Sequence, residues 1–116
     1  AWNLVAHIRA VRNAVGPHES DRFFECHPET SFAEMTGRPL RPKKTAAGVG
    51  DRLVALRPAV PDLDHLLSAA PATCAIDDVL DALAAAWSAR RVALRLADHL
   101  GDGSRDAAGY PLDIVV

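Results

Sequence analysis

Two aspartates three residues apart, Asp78 and Asp81, have the residue type and spacing best suited to chemistry in this chain. On a helix, side chains at this spacing lie on one face and can converge on a shared site. Two carboxylates that share a site repel each other, and a divalent cation relieves the repulsion; clustered oxygen ligands are what Mg²⁺ or Mn²⁺ requires. An alternative interpretation is that Asp77 or Asp78 caps the helix, while Asp81 complements the positive end of its dipole.

The aspartates open a long helix that the sequence predicts over roughly residues 76–100. The apolar positions close to Asp78 on a helical wheel are Ala82, Ala85, Ala89, Val92 and Leu96. We expect this alanine-rich stripe to be buried, because small side chains let another element approach closely. Asp77, Ser88 and Arg91 fall in the remaining polar wedge. The helix is therefore predicted to be sandwiched between other elements.

Shorter elements are predicted around the long helix. In chain order they are a helix Trp2–Val15, a strand Arg22–His27, a helix Phe32–Met35, a loop Arg38–Gly50, helical segments Asp51–Leu56 and Leu63–Ala70, and a strand Leu112–Val116. The sequence thus predicts a single domain over residues 1–116, α/β in class and mostly helical, with short strands near 22–27 and 112–116. Two short strands do not form a stable sheet alone. Either they pair with strands that precede Ala1 or with a partner, such as a second copy in a homodimer, or the chain is essentially a helical domain. We favour pairing with preceding strands.

The bulk composition excludes several classes of protein. The 116 residues are 49% hydrophobic and 24% charged, as in globular domains with a core. A net charge of -2 excludes a generally basic nucleic-acid binder and leaves only local basic patches. No apolar run is long enough to span a membrane. Two cysteines are too few for a disulfide framework or a four-cysteine zinc site, which favours a reduced, cytoplasmic setting.

One local basic patch lies in the predicted loop. Arg38, Arg41, Lys43 and Lys44 fall within seven residues that contain no acid. A flexible basic loop beside an acidic site is suited to binding the phosphate backbone of a nucleic acid. A solvated surface loop produces the same composition, so both interpretations stay open.

Several motifs in a fixed order resemble a known family. Asp78-Val-Leu-Asp81-Ala-Leu-Ala-Ala-Ala resembles the D-x-x-D-A-L-A-x-A helix of RuvC-like resolvases. The wider set is Trp2-Asn3-Leu4 with Ile8-Arg9, Glu25-Cys-His-Pro-Glu29 with Ser31-Phe32, Lys43-Lys44-Thr45 with Gly48, and Asp77-Asp78-Val-Leu-Asp81-Ala. Together these motifs resemble the C-terminal part of an uncharacterised family described as predicted RNase H-like nucleases.

The resemblance implies a partial RNase H-like fold and a metal-dependent nuclease or phosphodiesterase that acts on nucleic acid with Mg²⁺ or Mn²⁺. It assigns metal ligands to Glu25, Asp78 and Asp81, and a proton-carrying role near the metal to His27. His27 could instead hydrogen-bond the turn that it opens. Phosphate contacts fall to Arg41, Lys43 and Lys44. The family's first-strand acid would precede Ala1, so we expect this chain alone to bind metal poorly and not to cleave. The alternative function is a non-catalytic interaction or structural domain.

Overall fold

The computed structural model describes residues 2–116, with side chains from residue 4 onward. Five α-helices follow one another in this part of the chain: α1 (Trp2–Ala14), α2 (Pro28–Thr36), α3 (Ala46–Leu56), α4 (Leu63–Ala69) and α5 (Ile76–Ala93). A short 3-10 turn, Pro17–Glu19, lies between α1 and α2. The predicted helices at the N-terminus and at residues 63–70 are confirmed to within one residue at each end.

The α/β expectation, with its partial RNase H-like fold, was wrong. The described residues form a mostly helical domain without a sheet. At the two predicted strands, 22–27 and 112–116, only single bridges form, in which Cys26 and His99 each pair with Val115. The reason is length: Pro28 opens a helix directly after the first segment, which leaves too few extended residues for a ladder.

The hydrophobic core is built where α2, α3 and α5 pack against one another. Its fully buried members are Phe32 of α2, Leu56 of α3, Leu63 of α4, and Leu80 with Ala84 of α5. Burying a side chain of the size of leucine or phenylalanine stabilises a fold by about 1.5–3 kcal/mol. This small apolar core fixes the relative positions of the three helices that carry the charged residues described below.

The buried face of α5 is not the one that the helical wheel predicted. Ala82 and Ala89 of the predicted stripe are exposed, whereas Asp77, Ala84 and Ser88 are buried. The polar wedge can be buried because its members have partners on other elements. Ser88 shares a buried hydrogen bond of 2.8 Å between hydroxyl oxygens with Ser31 of α2.

α5 also ends earlier than predicted. The backbone N–H of Arg95 donates to the carbonyl of Val92 (3.0 Å), and that of Leu96 donates to the carbonyl of Arg91 (2.8 Å). Arg95 itself adopts the left-handed conformation, with φ of 57°. This pair of bonds is the Schellman arrangement that closes a helix. The chain therefore leaves the helix after Ala93, seven residues before the predicted end at 100.

Two other helices begin earlier than predicted. α2 begins at Pro28 rather than at Phe32, because proline at the first helical position needs no hydrogen bond for its nitrogen. α3 begins at Ala46, inside the predicted loop, because the Thr45 hydroxyl accepts a hydrogen bond from the N–H of Gly48 at 3.0 Å. The basic loop is therefore short and is anchored directly to the first turn of α3.

α1 lies at the edge of the domain and leaves its apolar stripe exposed. Leu4, Ile8 and Val11 are each more than half exposed. The Tyr110 hydroxyl donates to the carbonyl of Arg12 at 2.6 Å, and this ties the end of α1 to the C-terminal loop.

Candidate functional site

Six charged side chains from distant parts of the sequence meet on one face of the domain, and we call them the charged cluster. They are Glu29 of α2, Lys43 and Lys44 of the loop before α3, Arg52 of α3, and Asp77 and Asp81 of α5. Each acid of the cluster is paired with a base on a different segment. The cluster therefore joins all the segments that carry it.

Two lysines of the loop bind two aspartates of α5. The Lys43 Nζ lies 2.7 Å from the Asp81 Oδ2, and the Lys44 Nζ lies 2.6 Å from the Asp77 Oδ2. Asp77 and Asp81 are one helical turn apart, so consecutive lysines meet consecutive turns of the helix. The Asp77 side chain is only 9% exposed, whereas that of Lys44 is 77% exposed. A carboxylate this deeply buried needs a cation, and the lysine supplies it from the solvent side.

The ionisation of these groups follows from their partners. The hydrogen bond from Lys44 holds the pKa of Asp77 below its ordinary value. The hydrogen bond to Asp81 raises the pKa of Lys43, and the nearby charges of Asp77 and Glu29 raise it further. Lys43 is thus the central cation of three carboxylates. The lowered pKa of Asp77 and the raised pKa of Lys43 keep these two groups charged at neutral pH.

Arg52 is the buried cation of the cluster, and the sequence analysis did not identify it. Its side chain is 1% exposed and donates from Nη2 to both carboxylate oxygens of Glu29, at 2.8 and 2.6 Å. Nη1 donates to the carbonyls of Arg41 (2.9 Å) and Gly48 (2.8 Å). A signal was present: Arg52 lies three residues after Val49 and four before Leu56, on the apolar stripe of α3. A charged residue in an apolar stripe indicates a buried partner.

The loop that carries the lysines is held tightly to α3. The Pro42 carbonyl accepts hydrogen bonds from the backbone N–H of Thr45 (3.0 Å) and from its hydroxyl (2.8 Å). A Cβ added at Gly48 would lie 2.0 Å from that same carbonyl oxygen, so only glycine permits this approach. This explains why glycine stands three residues after Thr45 in the motif.

Arg41 lies beside the cluster with a partner of its own. Its guanidinium binds Asp51 through Nε at 2.7 Å and Nη2 at 2.5 Å. These bonds lower the pKa of Asp51 to about 2. The predicted phosphate contact is thus engaged with a carboxylate, as are Lys43 and Lys44.

Besides Arg41, three of the predicted site residues lie outside the cluster. Glu25 is exposed, and its carbonyl accepts from the N–H of Val115 at 2.9 Å. His27 is exposed at the start of α2, and its ring makes no capping bond to the helix. Asp78 is exposed on the face of α5 that borders a shallow apolar groove with Leu66 of α4. Asp81 alone of the predicted acids joins the lysines.

The predicted metal ligands therefore do not fit a shared metal ion. Glu25, Asp78 and Asp81 face different surroundings, and the carboxylates that do converge are each paired with a lysine or an arginine. Across residues 2–116, no three side chains among His, Cys, Asp and Glu are placed to hold one metal ion together. One carboxylate oxygen of the cluster has no partner: the Oδ1 of Asp81 is buried and accepts no hydrogen bond from the described part of the chain.

The fold and the cluster define a small helical domain with a set of cross-linking ion pairs on one face. A family model described as "Protein of unknown function (DUF429)" matches residues 1–104, and the chain belongs to this family. The match includes every residue of the charged cluster. Searches of curated proteins and of solved structures found no match. Because the family description names neither fold nor activity, the nuclease relationship stays a prediction. Among the described helices, none has an apolar stretch that could span a bilayer.

Proposed function

We propose that this chain supplies the phosphate-binding part of a phosphodiesterase that acts on nucleic acid, with Lys43 and Lys44 as the phosphate contacts. The observation that carries the proposal is the convergence of the motifs. Glu29, the Lys43–Lys44 pair, and the aspartates Asp77 and Asp81 belong to three separate motifs, and their side chains meet in one cluster.

The lysines retain donors for a ligand. An ammonium group carries three N–H donors, and each lysine uses one of them on its aspartate. The remaining donors can bind phosphate oxygens, and such charge-assisted bonds are about twice as strong as neutral ones. The aspartates hold the ammonium groups in place through these hydrogen bonds. The cluster thus presents two pre-positioned cations within a set of six side chains that is neutral as a whole.

The charge balance of the cluster predicts a local form of binding. Three acids and three bases give a net charge of zero (3 - 3) for the six side chains. A neutral patch has little long-range attraction for a polyanion, so we expect contact with individual phosphates rather than electrostatic steering. No step is assigned to Mg²⁺ or Mn²⁺, because the ligands predicted for them do not converge.

The test is oligonucleotide binding and cleavage by the full-length protein. Fluorescence anisotropy over a salt series compares the wild type with the double variant Lys43→Gln/Lys44→Gln. The matched control is Arg57→Gln/Arg90→Gln, which removes the same charge from exposed positions outside the cluster. Two lost phosphate contacts reduce the slope of log K against log salt by about 1.4 for a single strand. Equal slopes for wild type and lysine variant, with no cleavage in Mg²⁺ or Mn²⁺, would refute the proposal.

A second candidate is a structural or interaction domain without catalysis. It is favoured by the closure of the cluster, in which every carboxylate already has a cation and Arg52 is buried. In that case the lysine double variant lowers the melting temperature, and nucleic-acid binding is the same as in the control variant. The two candidates therefore give opposite results in the same assay.

A further inference from the structure

Arg52 is an unusual residue to bury in a small core. Removing a guanidinium from water is unfavourable unless its donors are all satisfied, and its Nε is buried without a hydrogen-bond partner in the described structure. An apolar side chain of similar volume is often as stable as a buried ion pair or more so. Core stability alone therefore does not account for an arginine at this position, and its contacts indicate what it does.

The contacts of Arg52 end on the loop that carries the two lysines. Nη1 donates to the carbonyl of Arg41, which directly precedes Pro42, and Nη2 holds Glu29 on α2. At the other end of the loop, Thr45 caps α3 and donates to the Pro42 carbonyl. The two lysines lie between these fixed points. One side chain thus sets the position of the loop against both α2 and α3.

We infer that Arg52 is a positioning residue that places the ammonium groups of Lys43 and Lys44 over Asp81 and Asp77. The inference rests on the proposed role of this loop in phosphate binding. A lysine at position 52 keeps the charge, but one ammonium group cannot reach the Arg41 carbonyl and both oxygens of Glu29 in the geometry of a guanidinium. The shape of the arginine, and not its charge, is the property that the loop needs.

The test compares Arg52→Lys and Arg52→Met with the wild type, with Arg57→Lys, at the exposed C-cap of α3, as the matched control. The first readout is the pKa of Lys43, followed by NMR of the side-chain carbon next to the nitrogen. In the wild type the Lys43 pKa lies above its ordinary value, chiefly because of the hydrogen bond to Asp81, and in both Arg52 variants it should fall toward the ordinary value. The second readout is amide hydrogen exchange at Thr45, which should become faster while exchange in the middle of α5 stays unchanged.

A further variant guards against loss of the fold. Gly48→Ala leaves Arg52 intact and displaces the loop from its other end, because the added Cβ would lie 2.0 Å from the Pro42 oxygen. Like the Arg52 variants, Gly48→Ala should lower the pKa of Lys43. A wild-type Lys43 pKa in Arg52→Lys, with unchanged Thr45 exchange, would overturn the inference, because charge alone would then be sufficient.

The binding assay separates this inference from the proposed function. Between 50 and 200 mM salt, two phosphate contacts contribute about a sevenfold loss of affinity for a single strand. The Arg52 variants should lose this contribution, as Lys43→Gln/Lys44→Gln does. If the lysine variant binds like the wild type, the proposed function fails, and the lysine pKa and amide exchange still decide on positioning. If the loop loosens but the Arg52 variants keep the wild-type salt dependence, the positioning role is overturned.

Discussion

The hydroxyl pair between α2 and α5 offers a sharp test of how α5 is oriented. Ser31 and Ser88 are fully buried, and their oxygens lie 2.8 Å apart. Ser31 has a second, long contact to the His27 carbonyl at 3.4 Å, whereas Ser88 has no other side-chain bond in the described structure. Ser31→Ala should therefore leave a buried hydroxyl unsatisfied, and Ser88→Ala should leave one that is partly satisfied.

The magnitudes follow from the cost of an unsatisfied group. A buried polar group without a partner costs about 1–3 kcal/mol. We expect about 2 kcal/mol for Ser31→Ala and about 1 kcal/mol for Ser88→Ala. The double variant should cost about 1 kcal/mol, because neither hydroxyl then remains. With an unfolding entropy of about 2.1 cal/mol/K per residue, 1 kcal/mol shifts the melting temperature of this domain by about 4 °C.

The assay is thermal and urea unfolding of the four proteins in a double-mutant cycle. A coupling free energy of about 1–2 kcal/mol between the two positions supports the contact. Two substitutions on α5 serve as a check on its orientation: Ala82→Gln should be nearly neutral, and Ala84→Gln should destabilise strongly, because only Ala84 is buried. Additive serine substitutions together with a destabilising Ala82→Gln would refute the orientation, and the predicted alanine stripe would then be the buried face.

Three further predictions follow from local contacts. Arg41 lowers the pKa of Asp51 from 3.8 to about 2, so the stability that the Asp51 carboxylate contributes is present above pH 3.8 and is lost as the pH falls toward 2. Acid titration of the folded protein should show this loss of stability in the wild type and not in Asp51→Asn. The pKa of Lys43 is raised above 10.5, chiefly by Asp81, so its contribution is complete below pH 10.5 and is lost as the pH rises through the higher folded value; Asp81→Asn should flatten the alkaline limb of the stability curve. Arg95 has a φ of 57°, so Arg95→Gly should raise the free energy of unfolding by about 0.5–1 kcal/mol, and a fall in urea stability would contradict the assigned helix end.

Local sequence signals predicted the helices well and the long-range contacts poorly. The periodicity of α1 and of α4 depends on neighbours within a few positions, which a sequence displays directly, whereas the predicted starts of α2 and α3 were late. The buried face of α5 depends on Ser31, which is 57 residues away from Ser88. A helical wheel that treats Ser and Asp as polar places these residues on the solvent-facing side of α5. Only their partners on other elements show that this side is buried. The strand predictions were wrong for a local reason, because the helix that begins at Pro28 leaves too few extended residues before it for a ladder.

In the charged cluster, the sequence predicted some of the segments involved but not the residues that make the contacts. Two of the motifs lie on segments that meet in the structure, the lysine loop and the start of α5. Their roles differ from the prediction: Asp77 rather than Asp78 joins Asp81 in the cluster, and Glu29 rather than Glu25 is the acid of α2. Asp77 lies on the buried side of α5, whereas the Glu29 side chain is 41% exposed and joins the cluster through its buried partner Arg52; spacing alone revealed neither contact.

The absence of a sheet from the described residues gives these ion pairs more importance for the site. In the described residues no strand ladder fixes the lysine loop to α5. The loop is held instead by the hydrogen bond from Arg52 to the Arg41 carbonyl and by the ion pairs of the two lysines with Asp77 and Asp81. Salt screens these contacts unequally, because the Debye length falls to about 3 Å at 1 M and buried pairs are screened less than exposed ones. The pair of Lys44, whose side chain is largely exposed, should weaken first, and the pair of buried Arg52 last. High salt should therefore loosen the lysines while the loop itself stays in place, which makes Arg52 the contact that keeps the site assembled.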